Sequence, residues 1–276
     1  MPTTKPNKSS PKYRKQLNEL QTEILLLLYK FRFATPDLII RYQGLESRRY
    51  VNVRLKILME QEYIGRIYDS SYRIKGKQAI YYLLPEGIKV LKSSGEDLDP
   101  MGLNLLYYNR SASEGFVNHC LSLFGLYLKF DELYSTSLEF FTRSEIANEK
   151  RFPRPLPDAN LVLQHKQAED SEFFLEYIEK DLPYFTVRRR IRRYFNHSEE
   201  DWDDSQGDYP IMLLVCESSY LERQVQRMAD RLIERNDSDL KVYTTTTKAL
   251  LEQKNRKTAV WSDVLEPEIL VGFSAS

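Results

Sequence analysis

Residues 16–93 change their apolar period in a fixed order, helical first and strand-like afterwards, and that order limits the fold more than any other feature. Over 16–31 the positions Leu17, Leu20, Ile24, Leu27 and Leu28 recur at helical spacing. Thr35 then precedes Pro36 and Asp37, an N-cap followed by a proline whose fixed φ suits the first helical position. This second helix carries Leu38, Ile39 and Ile40 and stops at Gly44. Ser47 is expected to cap a third helix over 48–61, with Val51, Leu55, Leu58 and Met59 on one face. The opposite face holds Arg48, Arg49, Asn52 and Lys56. Residues 63–68 and 79–84 have the aromatic and β-branched content of strands, and the polar stretch between them contains Arg73, Lys75, Gly76 and Lys77. Pro85-Glu86-Gly87 opens a further short helix.

Three helices followed by a basic-tipped hairpin form a winged helix-turn-helix. The charge distribution agrees. Residues 1–93 carry 18 Lys/Arg against 8 Asp/Glu, whereas 94–276 carry 22 against 32, so a net charge of zero conceals a strongly basic first third. A segment so charged attracts a polyanion, and double-stranded DNA is the usual one. Arg48 and Arg49 at the start of the third helix can fork onto guanine, Asn52 can read adenine, and Lys56 lies on the same side. Arg73, Lys75 and Lys77 in the wing would hold phosphates, which fixes register without reading sequence. Two plainer readings stand beside this one: a solvated charged helix face, and a basic domain that docks on its own acidic partner.

The remainder has an α/β rhythm. Residues 1–15 read as a basic flexible arm, 16–93 as the DNA-binding domain, 94–111 as a linker and 112–276 as an α/β domain. A long amphipathic helix spans 113–133 and contains a lone His119, read as an ordinary helix residue. Strands are expected over 138–142, 159–163 and 173–178, then a basic helix over 187–196, a strand over 211–216 and a helix over 219–235. Further strands are expected at 240–245 and 259–261, with a short helix at 248–252 between them.

Helix, three strands, helix, strand is the core order of the PD-(D/E)xK nuclease-like fold. There an Asp and a Glu from adjacent strands converge on a divalent cation such as Mg²⁺, which activates water and clamps the phosphate. Asp158 and Glu176 occupy those places as metal-ligating and catalytic candidates. The lysine normally found two residues after the Glu is replaced by Ile178; Lys180, or the Arg188–Arg190 run, is what remains to take its role. The alternative is a nuclease-like scaffold that has lost its chemistry. Arg188, Arg189, Arg190, Arg192 and Arg193 cannot share one helix face: some can grip DNA, others can pair with the acidic loop 199–208.

Composition excludes several classes. The 34 aromatic residues do not belong to a disordered chain, and the longest apolar run, Ile24 to Tyr29, is far too short for a bilayer. Cys120 and Cys216 have no metal-ligand spacing, so neither a disulfide framework nor a zinc site is expected, and the cytoplasm is the default compartment.

Several motifs together resemble the replication-relaxation family of mobile-element proteins. They are the Tyr-rich wing strand running into a Leu-x-x-x-Gly turn (79–87), the helix with Asn118-His119-Cys120-Leu121, and Pro157-Asp158-Ala159 before a strand. A strand ending in the acidic cluster Glu176 to Asp181 and a basic helix closing on Tyr194 complete the set. The resemblance spans most of 16–217. It implies an accessory role in replication or mobilisation of a plasmid, phage or integrative element, with replication or conjugation proteins as partners. A metal-dependent DNA endonuclease and a winged-helix transcriptional regulator remain as alternatives. Winged helices commonly bind as dimers, and Leu221, Val225, Met228 and Leu232 offer a face for a homodimer or for the core.

Overall fold

The computed structural model describes residues 16–166, 168–203, 205 and 207–273, with the side chains of Ser70 and Arg73 left out. The expected basic arm over 1–15 lies outside the described residues. The chain is mixed α and β and divides into two compact units, Met1–Phe124 and Gly125–Ser276.

In the first unit, helix α1 (Glu19–Phe31) begins later than its apolar period suggests, because Asn18 and Gln21 form a reciprocal capping box. Strand β1 (Phe33–Ala34) follows, then α2 (Pro36–Tyr42), where the Thr35 hydroxyl accepts from the Leu38 amide. Helix α3 (Arg48–Glu60) buries Val51, Leu55 and Leu58, the face its period indicated; Ser47 precedes it but makes no side-chain cap bond. Strands β2 (Ile64–Ile67) and β3 (Ile80–Leu83) pair antiparallel, with β1 on the other side of β3. Their connection is no plain turn: it holds a short helix, α4 (Ser70–Ile74), inside the stretch read as a polar wing.

The Leu-x-x-x-Gly turn has a steric cause. Helix α5 (Pro85–Lys92) starts where the Leu84 amide donates to the Tyr63 carbonyl, and any β-carbon on Gly87 would overlap that same carbonyl. The segment read as a linker is folded. Asp99 caps α6 (Pro100–Leu105) through the Gly102 amide, and a 3-10 turn (Leu106–Ser111) follows. Arg32 donates to Asn109 Oδ1 and the Leu105 carbonyl, so partly buried polar contacts fasten this segment to the end of α1. Helix α7 (Glu114–Tyr134) comes next, with His119 and Cys120 buried along it.

The second unit is built on one seven-stranded sheet. Its strands are β4 (Leu138–Thr142), β5 (Ala159–Leu163), β6 (Ser171–Ile178), β7 (Ile211–Cys216), β8 (Val242–Thr246), β9 (Trp261–Asp263) and β10 (Leu270–Val271). They lie in sequence order across the sheet. Only β6–β7 and β7–β8 pair parallel, and each of these steps needs a crossover helix. These are α8 (Tyr184–Glu200) and α9 (Ser219–Asn236). A short helix, α10 (Thr247–Glu252), follows β8. Leu221, Val225, Met228 and Leu232 of α9 pack into the core with Val187, Ile191, Tyr194 and Phe195 of α8, so the face considered for a dimer is internal. Among the described residues no helix is long and apolar enough to cross a membrane.

Candidate functional site

Helix α3 shows opposite chemistry on its two sides. Its inner residues are solvent-free, while Arg48, Arg49, Asn52 and Lys56 are exposed, as expected from their spacing. Two further residues share that outer surface: Tyr50 is 64% exposed and Val53 52%. Bulky side chains left in water on a short helix suit apolar contact with a base edge or sugar. Their exposure was readable from the helical period, though their chemistry alone did not separate them from core residues.

Arg48 is engaged. Its guanidinium pairs with Asp37 on α2, and the other Asp37 oxygen accepts from the Gln78 amide group just before β3. Asp37 therefore ties the start of α2, the start of α3 and the segment before β3 together. Lys56 stands 3.8 Å from Glu60 on its own helix. Of the two lysines between β2 and β3, Lys75 is exposed, while Lys77 meets Glu114 at 3.3 Å and lies over the Tyr72 ring. The Arg73 side chain falls outside the described residues.

The second unit brings Asp158 and Glu176 together. β5 and β6 pair antiparallel with Ala159 opposite Leu175, and continuing that register sets Asp158 opposite Glu176. Side chains so placed are neighbours. Both are essentially solvent-free, at 1% and 0% exposure. Two like charges buried side by side cost several kcal/mol unless countercharges come with them.

Guanidinium groups supply those countercharges. Arg143 Nη2 lies 2.6 Å from Asp158 Oδ1, and its Nε donates to the Pro157 carbonyl. Arg190 Nη1 stands between the acids, 3.5 Å from Glu176 Oε2 and 4.0 Å from Asp158 Oδ2. Arg193 and the Tyr194 hydroxyl both donate to Glu176 Oε1, while the Tyr177 amide donates to Asp158 Oδ2 at 2.8 Å. Burial presses the Arg193 guanidinium toward deprotonation, but Glu176 overcomes this and its pKa rises. Arg143 behaves alike, with Asp158 and Glu176 outweighing its burial. Burial and Glu176 together hold the Tyr194 phenol protonated, so it remains a donor.

A hard divalent cation does not fit this donor set. It requires several oxygens converging on one point, yet three carboxylate oxygens are already taken by Arg143, Arg193, Tyr194 and a backbone amide. The fourth, Glu176 Oε2, has no hydrogen bond but faces the Arg190 cation. Three guanidiniums against two carboxylates leave a local positive charge. Among the described residues no group of three or more His, Cys, Asp or Glu side chains could hold a metal. Lys180 is drawn elsewhere: its ammonium meets Glu217 at 3.3 Å, and its backbone amide donates to the same carboxylate.

The arginine run of α8 thus divides by helix face. Arg190 and Arg193 turn inward to carboxylates that precede them in the chain, not to the acidic loop that follows. Arg188, Arg189 and Arg192 are exposed. Arg190 belongs to the run named above for the lysine's role; Arg193, Arg143 and the role of Tyr194 were missed in the sequence, although the buried Ile191 and Tyr194 flank Arg190 and Arg193 and mark the inner face.

The family model that matches this chain is replication-relaxation, over residues 25–210. The chain belongs to the replication-relaxation family. That match begins within α1 and ends just before β7, so this replication-relaxation protein has both the α3 surface and the Asp158–Glu176 pair inside the matched region. No curated protein and no solved structure gives a match.

Proposed function

We propose that this replication-relaxation protein is a sequence-recognising duplex-DNA-binding protein that serves the replication or mobilisation of a plasmid, phage or integrative element. In this reading the first unit is a winged helix-turn-helix and the second a nuclease-like scaffold. The outer surface of α3 carries the proposal: Arg49, Tyr50, Asn52, Val53 and Lys56 stand in solvent on a helix whose other side is locked into a core. Such a helix fits the major groove, with Arg and Asn reading base edges and Lys on the backbone. Arg48, held by Asp37, positions the helix start. Lys75 and Lys77 supply phosphate contacts beside it.

A selection on random duplex DNA tests this. The expected result is one enriched sequence, bound with a steep salt dependence. In Arg49→Ala/Asn52→Ala the preference should relax, with about 1–3 kcal/mol lost per base contact. No enriched sequence, or a preference unchanged in that variant, overturns the reading. The endonuclease alternative draws on the meeting of Asp158 and Glu176, and the arginines on both carboxylates oppose it. A promoter, rather than an origin or transfer site, as the selected target would favour a transcriptional regulator.

A further inference from the structure

The first two turns of α8 present aromatic and cationic groups to solvent together. Tyr184 is 53% exposed and Phe185 68%. Arg188, Arg189 and Arg192 are exposed as well, and among the described residues none of the three meets a carboxylate. At 3.6 residues per turn, Phe185, Arg188, Arg189 and Arg192 fall within about 100° of arc, so they form one stripe. The opposite side of the helix is fixed: Val187, Ile191, Tyr194 and Phe195 are buried, and Arg190 and Arg193 are tied to Glu176. The stripe is therefore displayed on a rigid support.

We infer that this stripe binds single-stranded DNA. Three cations that meet no carboxylate among the described residues match a phosphate chain, and an exposed Phe beside them gains more from the flat face of an unpaired base than from the narrow edges that a closed duplex shows. An unpaired base offers its π-face, and stacking on an aromatic ring next to a cationic backbone track is how sequence-tolerant single-strand binding works. An acidic peptide would satisfy the arginines but give Phe185 no flat partner. Asp181, just before α8, and Glu199 and Glu200 at its far end bound the cationic stretch, which limits the track to a few nucleotides. The choice of DNA over RNA rests on the function proposed above; the stacking and charge argument does not.

Fluorescence anisotropy on the full chain provides the test, with labelled oligo-dT, oligo-U and duplex probes of roughly 20 nucleotides. Oligo-dT should bind, and Phe185→Ala should weaken it about tenfold, the size of one lost stacking contact. Arg188→Ala/Arg189→Ala/Arg192→Ala should flatten the salt dependence of log K by about 2, from roughly 0.7 per phosphate on a single strand. All four substituted side chains are exposed, and unchanged thermal midpoints would verify that the fold is kept. Arg49→Ala/Asn52→Ala should leave oligo-dT binding as it was, so failure of the duplex reading and failure of this one appear in different variants. The inference is overturned by absence of oligo-dT binding, by affinity indifferent to Phe185→Ala, or by tighter binding of oligo-U. Equal competition by polyglutamate would also overturn it, since that would leave a generic anion site.

Discussion

The Arg193 guanidinium donates to the Glu176 carboxylate inside the second unit, where Glu176 is solvent-free and the Arg193 side chain is 8% exposed. Removing one member of such a pair leaves an uncompensated charge in a medium that solvates it poorly. Arg193→Met keeps most of the packing volume and should destabilise the chain by about 3–5 kcal/mol, read as a lower urea midpoint. Loss of less than about 1 kcal/mol would mean that Arg190 alone neutralises Glu176.

Occupied carboxylates should also be indifferent to metal. A ligand that binds only the folded state raises its stability by RT ln(1 + [L]/Kd). Millimolar Mg²⁺ or Mn²⁺ should therefore leave the thermal midpoint of the wild-type chain where it was, apart from the general salt effect seen equally with Asp158→Asn. A rise specific to the divalent ion and lost in Asp158→Asn would show that the arginines yield to a cation.

Much of this arrangement was legible in the residues, and the gaps have physical causes. The apolar period placed α3, and the runs of apolar residues placed β4, β5 and β7, at or within a residue of their observed ends, because solvent exclusion acts on each of these segments locally. The acids Asp158 and Glu176 could be named from their strands. What occupies them could not, since Arg143, Arg190 and Arg193 reach them only once β5 pairs with β6 and α8 crosses over the sheet. The segment 94–111 read as a linker because Gly95, Asp97, Asp99 and Pro100 are turn formers, yet Asp99-Pro100 is also an N-cap followed by the first helical position. The short helix α4 was hidden for the converse reason: five residues are too few to show a period.

Gly87 offers a sharp test of packing against propensity. In an unconstrained helix, Gly→Ala should stabilise by about 1 kcal/mol. Here the added methyl would overlap the Tyr63 carbonyl, which is backbone and already accepts the Leu84 amide. Gly87→Ala should therefore destabilise, by about 1–3 kcal/mol as in other overpacked sites. A raised thermal midpoint would show that α5 can move off β2 without loss.

Asp37 should separate stability from binding. Its pair with Arg48 is exposed on both sides, 44% and 53%, so Asp37→Ala should cost no more than about 1 kcal/mol. The same change frees the Arg48 guanidinium at the start of α3. If α3 faces DNA, non-specific duplex binding should strengthen and its log K–log salt slope should steepen by about 0.9, the value of one phosphate contact. An unaltered slope would mean that Arg48 does not reach the backbone even when released.

Acid stability should carry two opposing contributions. Burial lowers the His197 pKa below its ordinary 6.5, so below about 6.5 the unfolded chain binds the extra proton and stability falls with pH. Above 6.5 the ring is neutral in both states and the contribution is constant. Glu222 has the reverse sign. Burial raises its pKa above the ordinary 4.5, and the Thr244 hydroxyl that donates to it offsets this only in part. The folded chain then holds a proton that the unfolded chain releases, so stability declines as pH rises from 4.5 through the raised value. Glu222→Gln keeps the carbonyl that accepts from Thr244 and removes the titration. It should raise the thermal midpoint at neutral pH and flatten the decline, leaving the loss below pH 6.5 in place. Thermal melts of both chains between about pH 5 and pH 8 read this directly; a variant less stable than wild type at neutral pH would show that the Glu222 charge is itself stabilising where it sits.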